Sequence, residues 1–156
     1  MKIIFLDIDG VLNSMEFIQH QEKTIDDNLG YIDEQAIKRL AKIVQATQAQ
    51  IVLSSSWRSM FDDDMQPQFD AAKDLVTAFK KYQLKLMSKT SHLNSKRGAE
   101  VRDWLVQHPA VQQFVILDDA PFPDWNNLTP HWIQTDWRTG LTEVDVKQAI
   151  MMLNKK

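Results

Sequence analysis

The first thirteen residues constrain the fold more than any other stretch of the chain. Residues 3–6 are all apolar, and Asp7 and Asp9 follow them with Gly10 beside the second carboxylate. A short run that is apolar on both faces is typical of a central strand in a parallel sheet covered by helices. Such sheets bind ligands in the crevice at the carboxyl ends of their strands. We therefore expect a buried first strand with Asp7 and Asp9 in that crevice.

The size and composition of the chain favour one globular domain over residues 1–156. The 156 residues are 44% hydrophobic and 25% charged, with a formal net charge of −3. This balance argues against a disordered chain and against a globally basic nucleic-acid binder. Any site for a polyanion must therefore be local.

The absence of cysteine excludes several classes of chemistry at once. Disulfides, thiolate zinc sites and thiol nucleophiles all require it. No leader with a basic and an apolar part stands out, and neither does a long apolar span. We therefore expect a cytoplasmic protein with no membrane association and no obligate protein partner.

Apolar runs and helical periodicities alternate along the rest of the chain, which is typical of an α/β sandwich with right-handed crossovers. Further strands are predicted at 50–53, 84–87, 114–117 and 132–135. Helices are predicted at 33–47, 69–82, 97–107 and 142–153, with Asp33 and Thr142 as the N-caps of the first and the last. The polar residues 14–32 predict a long loop, which we interpret as a flap over the site.

A second pair of carboxylates follows a second apolar strand. Asp118 and Asp119 stand at the end of the fourth strand as Asp7 and Asp9 stand at the end of the first. If the two strands are neighbours, like charges converge that cannot all stay ionised without a cation. Mg²⁺ is the expected cation because it prefers hard oxygen ligands, whereas zinc and copper favour Cys and His.

Hydroxyl and cationic side chains lie at other predicted strand and helix ends. Ser54 and Ser55 follow the second strand, where hydroxyl and N–H groups bind anions. Lys96 or Arg97, at the start of a later helix, would add a cation. Arg58 has two interpretations, as a phosphate ligand or as half of a structural ion pair. Together with the carboxylates and a metal, these groups predict phosphoryl transfer.

Two further features of the sequence are left with alternatives. Trp57 either packs in the core or walls the pocket, where its ring would stack on a base. The stretch 80–97 contains six Lys or Arg residues and His92, but no acidic residue. It is either a solvated surface or a basic rim for an extended polyanion.

These segments resemble the four motifs of the haloacid dehalogenase (HAD) superfamily of phosphohydrolases. Asp7 matches the nucleophile of the first motif, and Asp9 matches its general acid/base. Ser54, with Ser55 as the alternative, matches the phosphate-binding hydroxyl of the second motif. The match continues with the cation of the third motif, at Lys96 or Arg97, and with the metal-binding acidic pair of the fourth, at Asp118-Asp119. The strings Leu-Ser-Ser-Ser-Trp-Arg and Thr-Gly-Leu-Thr further resemble small HAD domains associated with RNA-repair proteins.

The resemblance implies both a fold and an activity. The fold is a three-layer, Rossmann-like parallel sheet of order 5-4-1-2-3, with helices on both faces and no large cap domain. The activity is that of a Mg²⁺-dependent phosphatase that forms an aspartyl-phosphate on Asp7. The implied metal ligands are Asp7, Asp118 and the backbone carbonyl of Asp9, with Asp119 as a ligand or as the group that orients one. The expected partner is a phosphorylated small molecule or a nucleic-acid end.

Other functions remain as alternatives. A phosphotransfer receiver domain also gathers carboxylates around Mg²⁺, but it places its acidic pair and its acceptor on different strands, unlike the Asp-x-Asp spacing here. A catalytically idle HAD scaffold that binds nucleic-acid ends and a small-metabolite phosphatase are the remaining two.

Overall fold

Five parallel strands form one sheet at the centre of the molecule. The computed structural model describes residues 1–22 and 31–156. The strands are β1 (Lys2–Leu6), β2 (Gln50–Leu53), β3 (Leu86–Lys89), β4 (Gln113–Asp118) and β5 (Trp132–Gln134). Their order across the sheet is β3-β2-β1-β4-β5, and every neighbouring pair is parallel. This confirms the predicted order, in which β1 is central.

Helices connect the strands. They are α1 (Met15–Glu22), α2 (Glu34–Thr47), α3 (Asp70–Lys81), α4 (Arg97–Gln107) and α5 (Glu143–Leu153), and short 3-10 helices cover Ser56–Met60 and Asn126–His131. Both predicted N-caps are confirmed, since Asp33 accepts a hydrogen bond from the Gln35 amide and Thr142 forms a capping box with Asp145. Among the described residues, no helix is long and apolar enough to cross a membrane.

Alternate residues of β1 face opposite sides of the sheet, so helices must cover both sides. Ile4 and Leu6 pack in a cluster with apolar residues of α2, α3 and α5, whereas Ile3 and Phe5 pack with those of α4. All four side chains are 0% exposed, and burial of each contributes about 1.5–3 kcal/mol. The predicted three-layer arrangement is thereby confirmed, and the described connections between strands contain no large cap domain.

The predicted loop at 14–32 is wrong in its first part, because Met15–Glu22 forms α1. The Ser14 hydroxyl accepts a hydrogen bond from the Phe17 amide, and the Ser14 carbonyl accepts one from the Ile18 amide. The cap starts α1. The helix was not predicted because its polar composition shows no strong apolar periodicity. Residues 23–30 lie outside the described residues, and a flap over the site stays a prediction.

The third strand begins two residues later than its apolar run predicts. The Leu84 amide donates to the carbonyl of Phe79 at 2.9 Å, and Gln83 has a left-handed φ of 59°, so this part of the run closes α3. Pairing with β2 starts only at Leu86, opposite Ile51. The apolar side chain of Leu84 is still buried, which explains why the sequence pattern placed it in the strand.

Candidate active site

The register of the two central strands brings their terminal carboxylates together. β1 and β4 are neighbours with Leu6 opposite Leu117, and the Asp7 amide donates to the Leu117 carbonyl at 2.9 Å. Asp118 is the last residue of β4, so it ends beside Asp7 at the same edge of the sheet. The prediction that the two strands that end in acidic pairs are neighbours is therefore confirmed.

Three of the predicted metal ligands converge within a small volume. One carboxylate oxygen each from Asp7, Asp118 and Asp119 lie within 4.8 Å of one another. Gly10 makes this approach possible, since a Cβ at its position would lie 2.4 Å from Oδ2 of Asp119. Its φ of 80° also lies in the left-handed region that favours glycine. The lack of a side chain at Gly10 therefore lets the carboxylate of Asp119 lie against the turn after β1.

Burial of these carboxylates makes the charged state costly without a cation. Burial, followed by the repulsion of Asp7, raises the pKa of Asp118 to about 8. Burial also raises the pKa of Asp7 to about 6, although the nearby guanidinium of Arg97 opposes the shift. The pKa of Asp119 is raised as well, again chiefly by burial.

One oxygen of the cluster is left without a hydrogen bond among the described residues. Oδ1 of Asp118 accepts a hydrogen bond from the Ala120 amide at 2.9 Å, whereas Oδ2 is buried and forms no hydrogen bond with the described residues. A buried carboxylate oxygen without a hydrogen bond is costly. Three carboxylates with raised pKa values, one of them with such an oxygen, fit a metal cation with a preference for oxygen ligands.

Asp9 is not one of the three converging carboxylates, although, after burial, its charge helps to raise the pKa of Asp119. Its side chain is exposed, and it accepts hydrogen bonds from Nδ2 of Asn13 at 2.8 Å and from Nε1 of Trp57 at 3.2 Å. Its carboxylate is therefore available beside the cluster rather than within it. This separation is compatible with the predicted division of roles between Asp7 and Asp9.

The two candidate serines occupy different environments after β2. The Ser55 hydroxyl accepts a hydrogen bond from the Trp57 amide at 3.2 Å and also bonds the carboxyl group of Asp7, which lowers the pKa of Asp7. The Ser54 hydroxyl is buried and has no hydrogen-bond partner among the described residues. Of the two, Ser55 is the one whose hydroxyl contacts the carboxylate cluster.

Arg97, rather than Lys96, is the cation at the carboxylate cluster. Its guanidinium Nη1 lies 3.7 Å from a carboxylate oxygen of Asp7 and 3.7 Å from Oδ2 of Asp118. Arg97 also donates to the Ser54 carbonyl and lies 5.0 Å from the ring centroid of Phe122. Lys96 is exposed at the N-cap position of α4.

Arg58 forms the ion pair that was the alternative to phosphate binding. Its Nη1 and Nη2 each donate to one oxygen of Glu100 at 2.9 Å, and Nη2 lies 3.0 Å from Nδ1 of His92. Glu100 is 0% exposed. Sequence reasoning missed Glu100, although its position three residues after Arg97 on a helix puts both on one face. With both ends of its guanidinium engaged, Arg58 has little capacity left for a phosphate.

A cavity of about 900 Å³ opens beside the carboxylate cluster. Arg97 and Phe122 line one end of it, and its walls include the hydroxyl side chains of Ser56, Ser59 and Thr90. Its walls mix polar and apolar side chains, with Met65 and Met87 among the apolar ones and Asp63 and Asp64 among the charged ones. The cavity provides room for whatever group is attached to a ligand bound at the cluster.

Comparison with known proteins agrees with this geometry. The family model for the HAD domain in Swiss Army Knife RNA repair proteins matches residues 3–146, a range that includes every candidate site residue described above. No curated protein sequence matches the chain. Because the matched range covers most of the chain, the chain belongs to the family of HAD domains found in Swiss Army Knife RNA repair proteins.

Proposed function

We propose that the protein is a Mg²⁺-dependent phosphatase that hydrolyses a phosphomonoester through an aspartyl-phosphate on Asp7. The observation that carries the proposal is the convergence of Asp7, Asp118 and Asp119 beside Arg97. Carboxylates that are buried together need a cation, and a phosphate dianion needs the same cation before it can approach them. Membership of the HAD family adds support to this reaction class.

Each step of the proposed reaction uses a residue that lies at this edge of the sheet. A carboxylate oxygen of Asp7 attacks phosphorus while the bond to the leaving oxygen breaks, and Asp9 donates a proton to that oxygen. In the second step Asp9 takes a proton from water, the water oxygen attacks phosphorus, and the bond to Asp7 breaks. Inorganic phosphate leaves, and both aspartates return to their starting states.

The remaining groups bind the phosphate and balance charge. Mg²⁺, when bound by Asp7, Asp118 and Asp119, would supply positive charge for the phosphoryl oxygens. The hydroxyl of Ser55, which contacts the carboxyl group of Asp7, would donate to a phosphoryl oxygen, and the guanidinium of Arg97 provides a second positive group. Preorganised donors of this kind supply most of the catalysis in phosphoryl transfer.

Metal binding should change the stability of the protein in a pH-dependent way. Aspartates in the unfolded chain have a pKa of about 3.9. Burial raises the pKa of Asp7 to about 6 and that of Asp118 to about 8 in the folded protein. Between these values the folded protein holds more protons than the unfolded chain, so the metal-free protein should lose stability as the pH rises from about 4 to about 8. Mg²⁺ competes with those protons for the carboxylates. It should therefore stabilise the protein more at about pH 8 than at about pH 6.

Thermal unfolding with and without Mg²⁺ measures this effect. Each ~1 kcal/mol of binding free energy raises Tm by about 2–4 °C for a chain of this size. Asp118→Asn is the control, because a neutral amide in place of the carboxyl should remove most of both the pH dependence and the Mg²⁺ effect. A Tm that does not respond to Mg²⁺ at either pH would contradict metal binding at this cluster.

The substrate is proposed to be a nucleic-acid end, a class favoured by the description of the family as domains of RNA repair proteins. Part of the basic stretch 80–97 supports this class. Lys80 and Lys85 line a second cavity of about 600 Å³, which shares Asp64, Met65 and Met87 with the cavity beside the cluster. A polyanion that extends from the site in this direction would pass both lysines, which offset the charge of Asp64 on the same path.

Other lysines of the stretch have local partners instead. Lys81 pairs with Glu34 at 2.5 Å, and Lys89 donates to the backbone carbonyls of Arg58 and Phe61 at 3.2 and 2.6 Å. The charge of Lys89 therefore stabilises the end of the 3-10 helix at Ser56–Met60. A variant at Lys89 would test that local structure rather than substrate binding.

Phosphorylated oligonucleotides should be better substrates than mononucleotides, with an advantage that falls as salt is added. Changing Lys80 and Lys85 together to Glu should weaken the oligonucleotide reaction while sparing an aryl phosphate. The salt slope of the oligonucleotide reaction should fall by about 1 for each lysine that neutralises a phosphate. Changing Lys147 and Lys155 to Glu is the matched control, because it alters the net charge equally on other exposed positions. If mononucleotides are preferred at every salt concentration, a small-metabolite phosphatase is the better interpretation.

Phosphate release from an aryl phosphate in Mg²⁺ tests the proposed activity itself. Asp7→Asn protein, purified in parallel, controls for contaminating phosphatases. A chain that binds phosphorylated ends but releases no phosphate from any ester would instead be the idle scaffold.

A further inference from the structure

The carboxylate of Asp9 is held by two donors from different parts of the chain. The indole Nε1 of Trp57 donates to Oδ2 at 3.2 Å, and Nδ2 of Asn13 donates to Oδ1 at 2.8 Å. Trp57 lies in the 3-10 helix after β2, whereas Asn13 lies in the turn after β1. Two donors, one to each oxygen, define the plane of a carboxylate that would otherwise rotate freely in solvent.

The amide of Asn13 has only one orientation that satisfies its neighbours. Its Oδ1 accepts a hydrogen bond from the Gly10 amide at 2.9 Å, which leaves Nδ2 as the group that faces Asp9. The carbonyl of Gly10 in turn accepts a hydrogen bond from the Thr135 hydroxyl at 2.8 Å. The donor on this side of Asp9 is therefore fixed by the backbone of the turn and by the loop after β5.

The indole of Trp57 is fixed by packing as well as by its hydrogen bond. The residue is 9% exposed and belongs to the core cluster on the α2, α3 and α5 side of the sheet. Its backbone amide donates to the Ser55 hydroxyl that caps the 3-10 helix. Because both the backbone and the ring of Trp57 are held, the indole N–H has a fixed position relative to Asp9.

We propose that Trp57 is a positioning residue for proton transfer by Asp9, an inference that rests on the proposed function. An indole N–H is only a donor, as is the Asn13 amide nitrogen, so neither can take a proton from Asp9. The transferred proton must therefore use a lone pair that faces away from both donors. Trp57 thus sets the direction in which Asp9 gives a proton to the leaving oxygen as the bond to phosphorus breaks.

Trp57→Phe removes the N–H and keeps an aromatic ring in the core. The test compares kcat/KM for two phosphomonoesters, because kcat/KM reports the steps up to the first cleavage of the ester bond. An aryl phosphate with an activated leaving group needs little protonation, whereas an alkyl phosphate needs a proton from Asp9. We expect kcat/KM for the alkyl phosphate to fall about tenfold, the rate equivalent of one hydrogen bond, with the aryl phosphate changed by less than about twofold.

Trp104→Phe is the matched control for loss of a buried indole. Trp104 is 5% exposed, and its Nε1 donates to the Ser88 hydroxyl at 3.0 Å, away from the aspartates. Any effect of this variant should be the same for both esters. In the Asp9→Asn background, Trp57→Phe should cause little further loss, because the group that it positions is already inactive.

The outcomes separate the two proposals. Equal losses for the two esters in Trp57→Phe, or no loss for either, would show that Trp57 only packs and would overturn its positioning role while the phosphatase stands. If the wild-type chain hydrolyses neither ester in Mg²⁺, the proposed function and this inference are both overturned. A selective loss for the alkyl phosphate, absent in Trp104→Phe, supports the inference.

Discussion

Replacing Asp7 with Asn is expected to lower kcat/KM for every phosphomonoester by more than about 10³-fold, the scale found when a catalytic nucleophile is removed. The amide has nearly the same shape as the carboxyl group but cannot attack phosphorus. Burial raises the pKa of Asp7 to about 6, so a neutral side chain at this position should not weaken the fold. Thermal unfolding of the variant checks that the loss of activity is not a loss of structure.

Asp9→Asn should behave differently because it leaves the nucleophile in place. We expect a loss of about 10²–10⁴-fold for an alkyl phosphate, the range of general acid–base catalysis, and a smaller loss in the first step with an aryl phosphate. The two variants are compared side by side with both esters in Mg²⁺. Equal and substantial activity in Asp7→Asn and Asp9→Asn would contradict the roles assigned to the two carboxylates.

Removal of the metal is expected to abolish hydrolysis of the aryl phosphate. Without a metal cation, the three carboxylates of Asp7, Asp118 and Asp119 outnumber the single guanidinium of Arg97 and repel a phosphate dianion from the site. Excess chelator should therefore reduce the rate to background, and added Mg²⁺ in excess of the chelator should restore it. The measurement is the initial rate of phosphate release from protein first stripped of metal.

A cluster variant provides the control for metal removal. Asp118→Asn keeps Asp7 and Asp9 but takes one buried carboxylate from the cluster, so a higher Mg²⁺ concentration should be needed for half-maximal activity. Full activity of the stripped wild-type protein in excess chelator would contradict a metal-dependent mechanism.

The central strands and the helix caps were predictable because local sequence and tertiary structure agree there. Residues 3–6 are apolar on both faces, as a strand between two layers of helices must be, and Asp33 and Thr142 cap helices through their own side chains. The strand predicted at 84–87 began too early, because Leu84 is buried at the end of α3 rather than in the sheet. An apolar pattern indicates that a residue is buried, but it does not indicate the element to which the residue belongs. For Leu84 the backbone hydrogen bond to Phe79 places it at the end of α3.

Sequence patterns also placed the two acidic pairs together, since parallel strands deliver their ends to one edge of the sheet. They did not decide between adjacent candidates. The choice of Arg97 over Lys96 depends on the direction of side chains at the start of α4, and the contact of Ser55 with Asp7 depends on the turn after β2.

Contacts between side chains that are far apart in the sequence could not be predicted from local patterns either. The pairing of Arg58 with Glu100 joins residues far apart along the chain, and so does the bond from Trp57 to Asp9. Interactions of this kind follow from how the strands and helices assemble, and no local periodicity reports them.

The most direct test of the mechanism is to trap the phosphorylated enzyme. Asp9→Asn protein, mixed with an aryl phosphate in Mg²⁺ and quenched in acid, should carry one phosphoryl group, because the variant forms the intermediate faster than it hydrolyses it. Peptide mapping by mass spectrometry should place that group on Asp7, and Asp7→Asn protein treated in the same way should carry none. Release of phosphate by the Asp9→Asn protein with no phosphorylated aspartate at any time point, or a phosphoryl group on a residue other than Asp7, would contradict the proposed mechanism.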